Sequence, residues 1–183
     1  DDRFGEALSA GNFNRDNVIT GGAAYDCDDL AIGAPGVDIG TDDTGAVFLL
    51  FGSSTGLETN FSDTELRIWH QGRGGGGGAP EDGDTFGGAV AVFEDRFVSG
   101  RLFADALAIS SPEDAFDGDS GATVLLPGVA NSQLMDPASS RLLTPSDFSL
   151  PGQRFLRFGQ ALSSGVDYDA SDLYPRFAVG APF

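Results

Sequence analysis

Arg3-Phe4-Gly5-Glu6-Ala7-Leu8-Ser9 opens a pattern that returns as Thr85-Phe86-Gly87-Gly88-Ala89-Val90-Ala91 and again as Arg157-Phe158-Gly159-Gln160-Ala161-Leu162-Ser163. Each opening is answered downstream by an apolar run that ends on a proline. These runs are Leu30-Ala31-Ile32-Gly33-Ala34-Pro35, Leu107-Ala108-Ile109-Ser110-Ser111-Pro112 and Phe177-Ala178-Val179-Gly180-Ala181-Pro182. The pattern recurs about every 75 residues, and self-similarity at a fixed period marks a repeated structural unit.

Two further correspondences fill out the unit. Thr44-Gly45-Ala46-Val47-Phe48-Leu49-Leu50-Phe51-Gly52 aligns with Ser120-Gly121-Ala122-Thr123-Val124-Leu125-Leu126-Pro127-Gly128. Glu65-Leu66-Arg67-Ile68-Trp69 falls where Ser140-Arg141-Leu142-Leu143-Thr144 falls in the next unit. A full unit therefore holds four short segments rich in apolar residues, separated by Gly- and Asp-rich turns, which predicts strands. Four strands in a unit of this size predict an all-β chain, each unit a four-stranded antiparallel blade of a β-propeller. The units divide the chain into residues 1–72, 73–147 (starting with a Gly-rich linker) and 148–183, the last holding the first half of a unit. That makes about ten strands, or about two and a half blades. An open arc leaves unpaired strand edges, so the chain is expected to be part of a longer propeller or to be completed by copies or partner chains.

Composition supports this and removes other classes. The 183 residues carry 28 Asp and Glu against 10 Lys and Arg, a net charge of −18. No basic cluster offers a nucleic-acid surface. With 40% hydrophobic residues and 15 Phe the chain can build a core. No apolar run is long enough to form a membrane-spanning helix. Cys27 is the sole cysteine, so no disulfide forms within the chain. The 27 Gly and nine Pro suit a protein of many turns. No nucleophile elbow, zinc-protease helix or phosphate loop occurs. The Gly74 to Gly78 run lacks the Lys-Ser/Thr of a phosphate cradle and reads as a linker. His70, the sole histidine, has no partner in sequence and reads as structural. Trp69 and Tyr25 read as packing residues, with ligand contact as the alternative.

The paired Phe-Gly and Gly-Ala-Pro motifs resemble the FG-GAP repeat of the integrin α-subunit propeller and of many secreted bacterial proteins. The resemblance spans nearly the whole chain. It implies a propeller, usually of seven blades, and an extracellular, non-catalytic protein whose loop face meets a protein or glycan ligand. Adhesion, recognition or structural assembly as a surface protein or filament subunit would follow. The alternative is an accessory propeller of a secreted phospholipase, protease or glycan-active hydrolase, with its catalytic domain elsewhere.

The resemblance also implies calcium. In this family the loop between the first two strands often carries Asp-x-Asp/Asn-x-Asp-Gly-x-x-Asp-Leu. Ca²⁺ needs such a cluster because it takes about six to eight oxygens at about 2.3–2.6 Å. Here Asn12, Asn14 and Asp16 match the first, third and fifth positions, and Asp29 the closing acid. Asn17 to Cys27 are inserted between them, and this insertion either loops out or abolishes the site. Asp26 and Asp28 are spare carboxylates. The second unit offers Glu94 and Asp95, but Ala106 stands at the closing position with Asp105 one residue early. The third offers Asp167, Asp169 and Ser171, followed by Asp172, with Pro175 and Arg176 in place of the closing acid. Without metal, such loops are polar turns held by Asx hydrogen bonds. Asp38/Asp42/Asp43 and Glu113/Asp114/Asp117/Asp119 read as solvated turns.

Overall fold

The computed structural model describes residues 1–58, 67–73, 78–93, 104–112, 120–129, 135, 137–150, 156–165 and 176–182. The chain is all-β, built of antiparallel sheets of two to four strands, and the described residues include short 3-10 turns at Pro137–Ser139 and Pro145–Phe148.

The first sheet orders β1 (Ala7–Gly11), β4 (Asp29–Ala34), β5 (Ala46–Leu50) and β6 (Ile68–Trp69) side by side. The second repeats the order with β7 (Val90–Phe93), β8 (Ala106–Ser111), β9 (Ala122–Leu126) and β10 (Arg141–Leu143). The third holds β11 (Ala161–Gly165) and β12 (Arg176–Gly180). The sequence repeat is thus a repeat of register. Leu8 faces Ile32, Val90 faces Ile109 and Leu162 faces Val179, always the same two repeat positions. All four segments expected in each full unit form strands at the expected places.

An extra element interrupts the first unit. Between β1 and β4 the chain makes a separate hairpin of β2 (Asn17–Thr20) and β3 (Ala23–Asp26), closed by Gly21-Gly22. Both glycines sit at positive φ (62° and 86°), as a tight two-residue hairpin turn requires.

The sheets stack face to face, with β1 beside β7 and β7 beside β11. The main core lies between the first and second sheets. Ala31, Val47, Leu49, Phe51 and Trp69 from one side meet Phe86, Val90, Val92, Ile109, Val124 and Leu126 from the other. A smaller cluster of Phe93, Ala106 and Ala108 continues through Leu125 to Leu162 of the third sheet. The middle sheet is covered on both faces, which is why β7 and β8 are buried at every residue rather than alternately.

The Phe-Gly motif makes the joint between sheets. The Phe86 N–H donates to the Thr44 carbonyl at 3.0 Å and the Phe158 N–H to the Ser120 carbonyl at 2.9 Å, each reaching the preceding unit. The following glycine then donates inside its own unit: Gly5 to Gly33, Gly87 to Ser110 and Gly159 to Gly180. Gly45 and Gly121 lie against the backbones of Phe86 and Phe158, leaving no room for a Cβ. Phe86 and Phe158 are each only 2% exposed, burying their rings in these joints. Phe4, the first of the row, is 61% exposed and rests edge-on against Phe48 of its own sheet at 5.2 Å.

Candidate functional site

The loop leaving β1 brings several polar side chains into the interior. Asn12, Asn14 and Asp29 are buried, and Asp16 is half-buried. The insertion does not separate them. Asn17 pairs with Asp26 at the base of the β2–β3 hairpin, and the Cys27 N–H reaches the Asp16 carbonyl at 3.4 Å. The inserted residues therefore project outward, and the chain re-enters at Asp28-Asp29 beside the point where it left. The insertion thus loops out as a hairpin. The hairpin itself was not anticipated, though Gly21-Gly22 between Val18-Ile19 and Ala24-Tyr25 is its signal.

Within the loop the oxygens are turned onto backbone donors. The Asp16 N–H is shared by Asn12 Oδ1 (3.1 Å) and Asn14 Oδ1 (3.0 Å). Asn12 Nδ2 donates to the Asp16 carbonyl at 2.8 Å, and Asn14 Nδ2 to Asp16 Oδ2 at 2.9 Å. This is the Asx-bonded turn expected of the loop without metal. One oxygen is left over: Asp16 Oδ1 is buried with no hydrogen-bond partner. A buried, unpartnered carboxylate oxygen is costly and invites a cation or a water.

Asp29 closes the arrangement from β4. Its Oδ2 accepts from the Phe13 N–H at 2.7 Å and its Oδ1 from the Gly52 N–H at 2.8 Å. One side chain so ties the end of β1 to the end of β5. Burial pushes its pKa up to about 7, and the Asp16 charge adds to the rise. The N–H groups of Gly52, Phe13 and Asn14 pull the other way. The folded pKa therefore lies above the unfolded one. Asp29 contributes its stability below a pH of about 4, and that contribution is lost as the pH rises through about 7. In chelator, unfolding stability is expected to fall more between about pH 4 and 7 for the wild type than for Asp29→Asn. Equal slopes in urea titrations would contradict this.

Cys27 lies half-buried beside the loop. Burial and the carboxylates of Asp16, Asp29 and Asp26 push its thiol up, so it is held as S–H rather than as a thiolate. Next to it, a hollow of about 280 Å³ is lined by Asp26, Cys27, Asp28, Gly52, Ser53, Gly56 and Leu57.

Asp105 has a role that the repeat alignment did not reveal. Its Oδ2 accepts from the Asn12 N–H at 2.8 Å and its own N–H donates to the Asn12 carbonyl at 2.9 Å. The Val129 N–H also reaches the Phe13 carbonyl. The second sheet thereby clamps the first sheet's loop. No spacing in the sequence signals such a cross-unit bond.

The remaining sequence candidates divide. Asp167, Asp169, Ser171, Glu94, Asp95 and the Glu113 to Asp119 cluster lie outside the described residues, as does the Gly74–77 stretch of the linker. Asp38, Asp42 and Asp43 form an exposed turn, with the Asp43 N–H on Asp38 Oδ1 and the Asp42 N–H on Asp82 Oδ1. Trp69 is core, with the Arg73 guanidinium over its ring at 5.3 Å, whereas Tyr25 is exposed on the hairpin. His70 is half-buried, and burial with the Arg73 charge holds it neutral. Among the described residues no three carboxylate, thiol or imidazole side chains gather as metal ligands do, and no helix is long and apolar enough to cross a membrane. The loop's oxygens come from two carboxylates, two amides and backbone carbonyls, all of the hard type that Ca²⁺ prefers. In comparisons with known proteins, the chain matches no family model and no curated protein.

Proposed function

We propose that the chain is an arc of a β-propeller of the FG-GAP kind. Its role is a non-catalytic, extracellular one in adhesion, recognition or structural assembly, and its first loop takes up calcium. The arc is supported by the repeated four-strand order, the face-to-face stacking and the innermost strands β1, β7 and β11 in a row. The calcium reading rests above all on the hairpin, which projects outward while its base returns Asp29 to the neighbourhood of Asp16. Asp16 Oδ1 then supplies a ligand without a competing bond, and Asn12, Asn14 and backbone carbonyls can add oxygens by small rotations. A cation there would cancel the repulsion between the two carboxylates. It would fix the loop that the second sheet clamps through Asp105.

A ligand that binds only the folded state stabilises it by about 2.7 kcal/mol at 100 times its Kd. With the sub-millimolar to millimolar affinity of extracellular sites, about 5 mM Ca²⁺ is expected to raise Tm by about 5 °C over chelator. Asp16→Ala should erase the shift. Equal melting temperatures with Ca²⁺ and with chelator would remove the calcium reading, as would a full shift in the variant.

A further inference from the structure

Each backbone polar group of Asn12 and Phe13, where the loop leaves β1, is already engaged. The Asn12 N–H donates to Asp105 Oδ2 at 2.8 Å, and the Asn12 carbonyl accepts from the Asp105 N–H at 2.9 Å. The Phe13 N–H donates to Asp29 Oδ2 at 2.7 Å, and the Phe13 carbonyl accepts from the Val129 N–H at 3.0 Å. Asp29 belongs to the loop's own unit, whereas Asp105 and Val129 belong to the second. Glycines let the units come this close. A Cβ at Gly128 would land on the Phe13 and Asp105 carbonyls, and one at Gly11 on the Asp105 carboxylate and the Val92 side chain. Phe13, completely buried, anchors the loop in the core between the two sheets.

The clamp goes with the ligand set. Asp29 pairs with Gly11, Ala106 with Phe93 and Arg176 with Gly165, so these three hold the closing position of their units. Asp105, one residue before that position, serves the loop of the unit before its own. The third unit has Pro175 at the place of Asp105, and proline offers neither a carboxylate nor an N–H. The second loop, closed by Ala106 rather than by an acid, is therefore followed by a unit that cannot clamp it in this way. The first loop has both the closing acid and the clamp.

We infer that the second sheet presets the first loop for calcium, with Asp105 as the positioning residue, and that calcium in turn tightens the joint between the two sheets. The inference rests on the calcium reading above. Asp105 acts through the Asn12 backbone and not on the ion. With the backbone of Asn12 and Phe13 ordered beforehand, only the Asn12 side chain of this pair has to turn, and binding does not bear the entropy of ordering the rest. The coupling is reciprocal: whatever the joint adds to calcium affinity, calcium adds to the joint. What the loop needs from Asp105 is an accepting oxygen, not its charge.

The test is calorimetric calcium titration of the wild type, Asp105→Asn and Asp105→Ala, with circular dichroism to confirm that each variant is folded. Asp105→Ala leaves the Asn12 N–H without this acceptor and should bind calcium at least about tenfold more weakly. Asp105→Asn keeps an accepting oxygen and should stay within about threefold of the wild type. An asparagine variant as weak as the alanine one would assign the effect to charge and overturn the inference. So would an alanine variant that binds like the wild type. Amide exchange reads the reverse direction: saturating calcium should slow the wild-type Val129 amide at least about tenfold, and an unchanged rate overturns the coupling. A wild type that takes up no calcium removes the calcium reading itself and this inference with it, so the two failures are told apart.

Discussion

Gly33→Ala is expected to cost about 4 kcal/mol or more, while Gly180→Ala, at the same repeat position, costs less than about 1 kcal/mol. Both glycines lie next to an alanine across the same antiparallel pair. A Cβ at Gly180 would come within 3.2 Å of Ala161 Cβ, and one at Gly33 within 3.2 Å of Ala7 Cβ. Neither glycine sits at positive φ, so backbone strain does not separate them. The difference is the next sheet. A Cβ on Gly33 would land on the Gly87 carbonyl oxygen, and backbone atoms can clear it only by parting the first and second sheets. That joint holds the main core, so opening it sacrifices far more than one contact. Urea unfolding of the two variants at low protein concentration reads the comparison directly. Equal losses would mean that the close approach of the sheets is not what the glycine serves.

Asp29→Ala carries the second large effect, a loss of about 3 kcal/mol in chelator. The Phe13 and Gly52 N–H groups both end on this carboxylate in the interior, and removing it strands two buried donors. Each stranded donor costs about 1–3 kcal/mol. Relief of the desolvated charge, which holds the pKa near 7, offsets part of the loss. Asp29→Asn should lie in between, since its oxygen can serve one N–H while its NH₂ confronts the other. A loss below about 1 kcal/mol for the alanine variant would show that the loop finds other partners. The bonds to Phe13 and Gly52 give Asp29 a structural duty in addition to any metal it holds.

These two residues also show what could be read in advance. Strand positions and register were legible, because Phe-Gly and Gly-Ala-Pro recur with the same offsets and the apolar runs between them have strand length. The motif glycines were legible as fixed positions of the repeat, not as points of close approach. Nor was the partner of each approach legible: only the stacked sheets bring Gly87 to Gly33 and Phe158 to Gly121. The loop was half legible. Asn12, Asn14 and Asp16 stand at ligand spacing, yet Asp29 lies 13 residues beyond Asp16, and only the folded hairpin returns it. The Asp105 clamp was invisible, because a bond across units leaves no local period.

The repeat is one joint used again, with Phe86 and Phe158 each bonded to the unit before its own. Amide hydrogen exchange of the dilute protein tests this at single residues. The Phe86 and Phe158 amides, bonded to Thr44 and Ser120, should exchange only with unfolding of the sheets. The Phe4 amide, at the exposed end of the row, should exchange orders of magnitude faster. Fast exchange at Phe86 or Phe158 would contradict the account, and so would protection of Phe4 equal to theirs.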